Sequence, residues 1–271
     1  MTAVFVEMYA SYSQLLEENV DPRVKHLPLV SSPLPMVAIV LVYHAFINVW
    51  GPAYMKDRQP FQLRQPMIIY NAIQVLSNAL ILCMAVKKIW FHESFDWTCN
   101  PPTSSEEEPD LTIIYLCYAY YMMKILDLTD TVFMVLRKKD RQISFLHTYH
   151  HMGMCLAGWI GTALIGGGTH LVLFGSLNCL VHTIMYGYYL LAIVRPEYTS
   201  AKGKRRITEL QLTQFTIFFF HGLYTLLNPN CKFPTWSLAM LLPQDVFMFV
   251  LFWDFYVKAY LKPSTPPKKN D

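Results

Sequence analysis

The sequence predicts an all-α, polytopic membrane protein with seven transmembrane helices. Three observations carry this reading. Of 271 residues, 54% are hydrophobic and only 15% are charged, against about 25% charged in soluble domains. The charges sit in short blocks between long apolar runs. Seven of those runs, roughly 33–54, 66–89, 111–136, 143–165, 169–194, 207–227 and 235–258, are long enough to cross about 30 Å of hydrocarbon as helices. The basic blocks are short and separated by membrane-length segments, which argues against a nucleic-acid partner.

Residues 1–32 read as an arm ahead of the first span. They carry Glu7, Glu17, Glu18 and Asp21 and lack a basic start followed by an apolar core, so no cleavable signal peptide is expected. The chain reads as one domain over 1–271, with a lumenal arm at 1–32 and a cytosolic tail at 259–271. Orientation follows from the basic residues. Lys56, Arg58 and Arg64 lie after the first span. Arg137, Lys138, Lys139 and Arg141 follow the third, Lys202, Lys204, Arg205 and Arg206 follow the fifth, and Lys262, Lys268 and Lys269 follow the seventh. These are alternate connections on one side, and the positive-inside rule makes that side cytoplasmic. The loop 90–110 on the other side is acidic. Gly166-Gly167-Gly168 forms a tight hairpin between the fourth and fifth spans, and Pro243 is expected to kink the seventh.

The six cysteines show no CxxC pair, and four lie in apolar runs. Cys99 and Cys231 fall in two loops on the non-cytoplasmic side, where disulfides form, so a bridge between them is expected. Lys268-Lys269 stand fourth and third from the end of the sequence, the pattern of a dilysine retrieval signal for the endoplasmic reticulum.

Ionised groups inside spans cost about 2.5–3.5 kcal/mol each on insertion scales and mark function. The third span holds Lys124, Asp127, Asp130 and Thr131. Lys124, Asp127 and Thr131 share a helical face, and Asp130 points about 120° from Lys124. The fourth span holds His147, His150 and His151, which also share a face. In the fifth, Asn178, His182, Met185 and Tyr189 form one stripe beside Tyr186 and Tyr188. In the sixth, Gln211 shares a face with Thr208 and Phe215, while Gln214 faces elsewhere. His26, His44, His92 and His170 read as interfacial. His221, Gln244, Asp245 and Asp254 require partners that spacing does not identify.

An HxxHH cluster in a membrane first suggests a metal-dependent desaturase or hydroxylase. Two irons need several nitrogen ligands each, and nine histidines with a single box do not supply them. The expectation is therefore no metal and no cofactor. A seven-span receptor or transporter with a polar ligand site is the alternative from another class. Without metal, clustered imidazoles serve as bases or nucleophiles near neutral pH, and an acyl-imidazole remains activated. Basic loops at the cytoplasmic mouth suit a phosphate-bearing head, and the apolar interior suits a lipid chain. Together they point to acyl transfer on acyl-CoA.

Four ordered motifs carry a resemblance: Lys124-x-x-Asp127-x-x-Asp130-Thr131, His147-x-x-His150-His151, Asn178-x-x-x-His182-x-x-Met185-Tyr186-x-Tyr188-Tyr189 and Thr208-x-x-Gln211-x-x-Gln214. Together they resemble the very-long-chain fatty acid elongases, the ELO family, over nearly the whole chain. Asp127 departs from the pattern, which usually has Glu there.

The resemblance implies a 3-ketoacyl-CoA synthase of the endoplasmic reticulum membrane, which condenses a long-chain acyl-CoA with malonyl-CoA. It implies that spans two to seven ring an acyl tunnel, with span one outside. The reductase, dehydratase and enoyl reductase of the same cycle become expected partners, and a homodimer is compatible with it. The motif residues receive expected roles. His150 attacks the thioester and His182 assists by proton transfer or by polarising malonyl-CoA. His147 and His151 orient the pair or bind the thioester oxygen, and Asn178, Tyr186 and Gln211 donate to developing negative charge. Lys124 with Arg137, Lys138, Lys139, Lys204, Arg205 and Arg206 holds phosphates or carboxylate. Asp127, Asp130, Thr131, Tyr188 and Tyr189 complete the substrate-binding set.

Overall fold

The computed structural model describes residues 2–102 and 105–262. The dilysine expected at Lys268 and Lys269 lies outside the described residues. Eight helical units follow the chain. Helix α1 is Thr2–Asn19, α2 is Leu34–Met55, α3 is Arg64–Trp90 and α4 is Asp110–Leu136. Helix α5 covers 145–165, α6 is Thr169–Val194, α7 is Ala201–Leu227 and α8 is Thr235–Leu261.

Five of these, α2, α3, α4, α6 and α8, are long and apolar enough to cross a membrane. Seven spans were expected, and helices α2–α8 occupy those runs, but α5 and α7 do not reach the apolarity of a membrane-crossing helix. The reason is local. Helix α5 spends three positions on His147, His150 and His151, and α7 begins with Lys202, Lys204, Arg205, Arg206 and Glu209.

Six helices close a ring through neighbouring contacts, in the order α3, α4, α5, α8, α7, α6 and back to α3. Helix α2 packs outside it against α4 and α5. Its outer face leaves Leu41, Val42, Val49 and Trp50 exposed, which suits a lipid-facing helix. Tyr43, Ile47 and Met55 are buried on the inner side with Tyr121, Val135 and Cys155.

Connections alternate between two faces. The basic face holds the α2–α3, α4–α5 and α6–α7 links. There Phe61 N–H donates to Leu136 O (3.0 Å), Lys138 Nζ to Lys56 O (3.2 Å) and Arg64 to Ile193 O (3.4 Å). The opposite face holds the arm, the loop 91–109, the glycine hairpin and the α7–α8 loop. The disulfide Cys99–Cys231 joins two of these loops across a sequence separation of 132.

The arm is part of the core on that face. Val20, Val24 and Val30 are buried, and Asp21 N–H donates to Ala163 O (2.8 Å). Arg23 pairs with Asp21 (2.6 Å) and donates to Ser105 O (2.7 Å) and Gly166 O (3.2 Å). Gly166, Gly167 and Gly168 have φ of 76°, 125° and 89°, a region that L side chains seldom enter. That is what turns the chain back so tightly between α5 and α6.

Four helices contain a π-type turn: Phe46–Trp50 lies inside α2, and Val86–Trp90, Gly161–Ile165 and Val257–Leu261 end α3, α5 and α8. Such a turn admits one extra residue and rotates the following face. Helix α4 is interrupted at Leu128, whose N–H bonds Ile125 O (3.2 Å). Pro243 lies inside the continuous stretch Thr235–Tyr256.

Candidate active site

Helix α4 supplies the anchor. Lys124, Asp127 and Thr131 are 1%, 2% and 0% exposed, which fits the single face expected for them. An ion pair at this depth holds only if its remaining hydrogen-bonding capacity is filled, and here it is. Lys124 Nζ lies 2.8 Å from Asp127 Oδ2, 3.1 Å from Asn178 Oδ1 and 3.3 Å from His182 Nδ1. Asp127 Oδ1 accepts from Gln74 Nε2 (2.7 Å) and Tyr186 Oη (3.3 Å). Tyr186 also donates to Asp130 Oδ2 (2.6 Å), and Tyr120 Oη to Asn178 Oδ1 (2.8 Å).

An ammonium has donors only. His182 Nδ1 therefore accepts from Lys124, and the ring proton resides on Nε2. Asp127 Oδ2 is 3.7 Å from Nδ1, too long to reverse the assignment. The network thus sets the tautomer of His182 and leaves an N–H donor on the other ring nitrogen.

Helix α5 supplies the other imidazoles. Ser144 caps it by accepting from His147 N–H (3.2 Å), the usual partner of an N-cap hydroxyl. His147 Nε2 is 2.9 Å from Thr131 Oγ1, which is 2.7 Å from Tyr43 Oη. The rings of His147 and His151 are 4.3 Å apart, and those of His150 and His151 5.6 Å. Tyr149 points to α8, where it donates to Gln244 Oε1 (2.6 Å). His150 makes no hydrogen bond among the described residues. It lines a cavity bounded by Met154, Phe174, Phe215 and Leu241, and its ring centroid is 6.2 Å from that of Phe252. A second, largely apolar cavity shares Met154, Ala157, Phe174 and Leu241 with the first and continues to Ile89 and Val172.

Other expected site residues lie elsewhere or are already engaged. Lys124 was expected to hold phosphate or carboxylate with the basic loops; its donors meet Asp127, Asn178 and His182 inside the ring. Tyr186 was expected to donate to developing negative charge, yet its hydroxyl hydrogen goes to carboxylate. Asn178 Oδ1 is used twice; Gln211 Nε2 meets Met185 Sδ at 3.6 Å. Tyr188 donates to Ser200 O (2.7 Å) and accepts from Ser200 N–H (2.9 Å) at the α6–α7 link, away from the histidines. Tyr189 is 43% exposed and touches Tyr186 edge-on.

On the basic face, Arg205 and Arg206 both pair with Glu209, at 2.9 and 2.7 Å. Arg137 donates to Met67 Sδ (3.2 Å). Lys139 and Lys204 are exposed. Among the described residues, no three His, Cys, Asp or Glu side chains converge in a metal-holding arrangement.

Sequence reasoning missed a polar stripe on α3. Tyr70, Gln74 and Asn78 are buried at i, i+4 and i+8. Gln74 bonds Tyr70 Oη (2.9 Å), and Asn78 bonds Gln74 Oε1 (3.2 Å). Polar residues at helical spacing within an apolar run were the available signal. His170, expected at the interface and standing at the start of α6, is 3% exposed, and its Nδ1 lies 3.0 Å from Nδ1 of His221. Gln214, set aside on another face, is buried and its Oε1 has no partner.

A family model described as ELO: GNS1/SUR4 matches residues 28–268. The chain belongs to the ELO family. Very long chain fatty acid elongase 7 of Drosophila melanogaster is 34% identical over 263 residues, covering 97% of this chain and 79% of that protein. Elongase 4 of Homo sapiens is 36% identical over 252 residues, covering 91% and 77%. Elongase F of Drosophila melanogaster is 36% identical over 249 residues, covering 90% and 96%. As an ELO protein, the chain is a membrane protein of fatty acid elongation.

Proposed function

We propose that this ELO protein is a 3-ketoacyl-CoA synthase. It joins a long-chain acyl-CoA to malonyl-CoA and releases carbon dioxide and CoA. The observation that carries this is His150. It is the imidazole of the cluster that lines the cavity with no hydrogen bond, while the Lys124–Asp127–Asn178 network orients His182 nearby.

In the first step an unprotonated nitrogen of His150 attacks the thioester carbon. The C–S bond breaks, the departing CoA sulfur takes the proton that the ring gives up, and an acyl-imidazole remains. In the second, malonyl-CoA loses carbon dioxide, and the electron pair of the broken C–C bond attacks the acyl carbon. The C–N bond breaks, the departing ring nitrogen takes a proton from solvent, and free imidazole returns. Decarboxylation supplies the carbanion, so no strong base is needed. The Nε2–H of His182 donates to the thioester oxygen that gains charge. His147, tied to Thr131, and His151 support the His150 ring.

The two cavities, which share Met154, Ala157, Phe174 and Leu241 in their walls, would take the acyl chain inside the ring of α3–α8. With α5 and α7 held between apolar neighbours, all seven helices α2–α8 would cross the bilayer. The basic face would then be cytosolic, and Lys139 and Lys204 would meet CoA phosphates there. Asp130, Thr131, Tyr188 and Tyr189 would act through helix packing. The endoplasmic reticulum, a cytosolic C-terminus and the reductase, dehydratase and enoyl reductase of the cycle complete the proposal. Purified protein given carboxyl-labelled malonyl-CoA should release labelled carbon dioxide only when acyl-CoA is present; acyl-independent or absent release counts against it.

A further inference from the structure

Glycine inside a helix is destabilising relative to alanine, because it loses more backbone freedom on folding. In membrane helices it is favoured where two backbones approach closely. Several glycines here fit that role. A Cβ at Gly51, Gly158 or Gly222 would come within 2.6, 3.0 and 2.8 Å of Val135, Tyr121 and Leu242. Gly153 and Gly175 do not fit it. They lie inside the helical stretches Phe145–Ile160 and Thr169–Val194, and neither has a positive φ. Apart from chain neighbours and its own helix backbone, a Cβ at either would meet no heavy atom within 4 Å. Neither a turn nor a close contact accounts for the missing side chain.

Both glycines border cavities. Gly153 lines the one beside His150, and Gly175 lines the largely apolar one. Their levels differ. Gly153 is three residues past His150, about 4.5 Å along α5, and Gly175 is seven residues before His182, about 10 Å along α6. Gly175, Asn178 and His182 stand at i, i+3 and i+7, the spacing of one helical face. Asn178 and His182 point inward to Lys124, so a side chain at 175 would enter the ring interior. A chain that begins at His150 reaches that level only past Met154 and Phe174, which border both cavities.

We infer that the missing side chain of Gly175 sets how long an acyl chain the protein accepts. This rests on the proposed placement of the acyl chain in these cavities. Each methylene moved from water to an apolar wall tightens binding about fourfold. That gain ends where the chain meets close-packed side chains. Gly175 keeps the deeper part of the path open, and Gly153 keeps the part near His150 open. Bulk at 175 therefore excludes only the far end of a long chain, whereas bulk at 153 meets a chain of any length.

The test measures binding, so that it does not depend on turnover. The full chain in lipid nanodiscs is loaded with a labelled acyl-CoA, which is displaced by saturated acyl-CoAs of increasing length without malonyl-CoA. Comparing variants at equal length cancels partition of the ligand into lipid. Affinity should climb with length and then level off. In Gly175→Leu the levelling should come roughly two to four carbons earlier, the space its side chain fills. The longest chain that the unaltered protein fits should then bind about tenfold more weakly or worse, with short chains unchanged. Gly175→Ala should lose about fourfold at that length alone and melt at a higher temperature. Gly153→Leu should weaken every length alike. An unshifted levelling point in both Gly175 variants, or a uniform loss at all lengths, overturns the inference. So does a Gly153→Leu protein that spares short chains, or a lower melting temperature for Gly175→Ala. Carbon dioxide release on the same samples separates this from the condensing reading. An earlier levelling in Gly175→Leu without any release would remove condensation and leave the length limit standing; release with an unshifted levelling would do the reverse.

Discussion

Lys124 Nζ stands 3.3 Å from His182 Nδ1. That contact joins a charge on α4 to an imidazole on α6 and decides which ring nitrogen carries the proton. It also explains why an ion pair survives so deep in the ring. Lys124 meets Asp127, Asn178 and His182, and Asp127 meets Gln74 and Tyr186. Neither charge is left unmet.

Removing one partner of such a pair strands the other. Lys124→Met should therefore lower stability by about 3–5 kcal/mol and abolish condensation. In Lys124→Met/Asp127→Leu the stranded carboxylate is gone too, so the melting temperature should largely recover while activity does not. Thermal melts beside product formation check this. Recovery of both would mean that the pair is structural only.

Tyr186 discriminates between two roles for its hydroxyl. Its bonds to Asp130 and Asp127 place it in the network, and the proposed mechanism gives it no contact with the reacting carbonyl. Tyr186→Phe should cost roughly 1–3 kcal/mol of stability and less than about tenfold in kcat. A donor to the developing oxyanion would instead cost about 100- to 1,000-fold in kcat, which steady-state kinetics would reveal.

The basic face divides into engaged and free cations. Arg205 and Arg206 are held by Glu209, whereas Lys139 and Lys204 are exposed. Lys139→Ala/Lys204→Ala should raise KM for both CoA substrates several-fold, leave kcat within about twofold and flatten the dependence on salt. Arg206→Ala should do less. Equal effects of the two changes would refute the division.

The Cys99–Cys231 bond closes a long loop on the face opposite the basic one. Cross-links of this span contribute on the order of 2–5 kcal/mol in the chain-entropy picture. Reductant, or Cys99→Ser, should lower the melting temperature, and non-reduced peptide mapping should recover the linked pair.

The elements of the fold were legible where physics is local. Apolar runs marked α2–α8, and Gly166–Gly168 marked the hairpin through positive φ. Alternating basic loops marked the faces, and spacing alone put Lys124, Asp127 and Thr131 on one buried side. What escaped depends on tertiary neighbours. Spacing placed Lys124 beside Asp127 but could not say that Asn178 and His182 would complete its shell, so phosphate seemed a reasonable partner. The place of His170 at a helix start gives no sign of the His221 ring beside it. The π-type turns rotate the faces that follow them, and a uniform 3.6-residue period carries no trace of that. The α3 stripe was present in the sequence and went unread because Gln74 and Asn78 lie outside the four motifs.

The claim on which the rest depends is that His150 carries the acyl group. Intact mass spectrometry of the purified protein incubated with acyl-CoA alone tests it most directly. The account predicts a mass increase equal to one acyl group less the hydrogen it replaces, discharged on adding malonyl-CoA and absent in His150→Ala. No adduct, or an undiminished one in His150→Ala, would contradict it. Direct attack by the malonyl carbanion, with the histidines as acid and base, would then replace it.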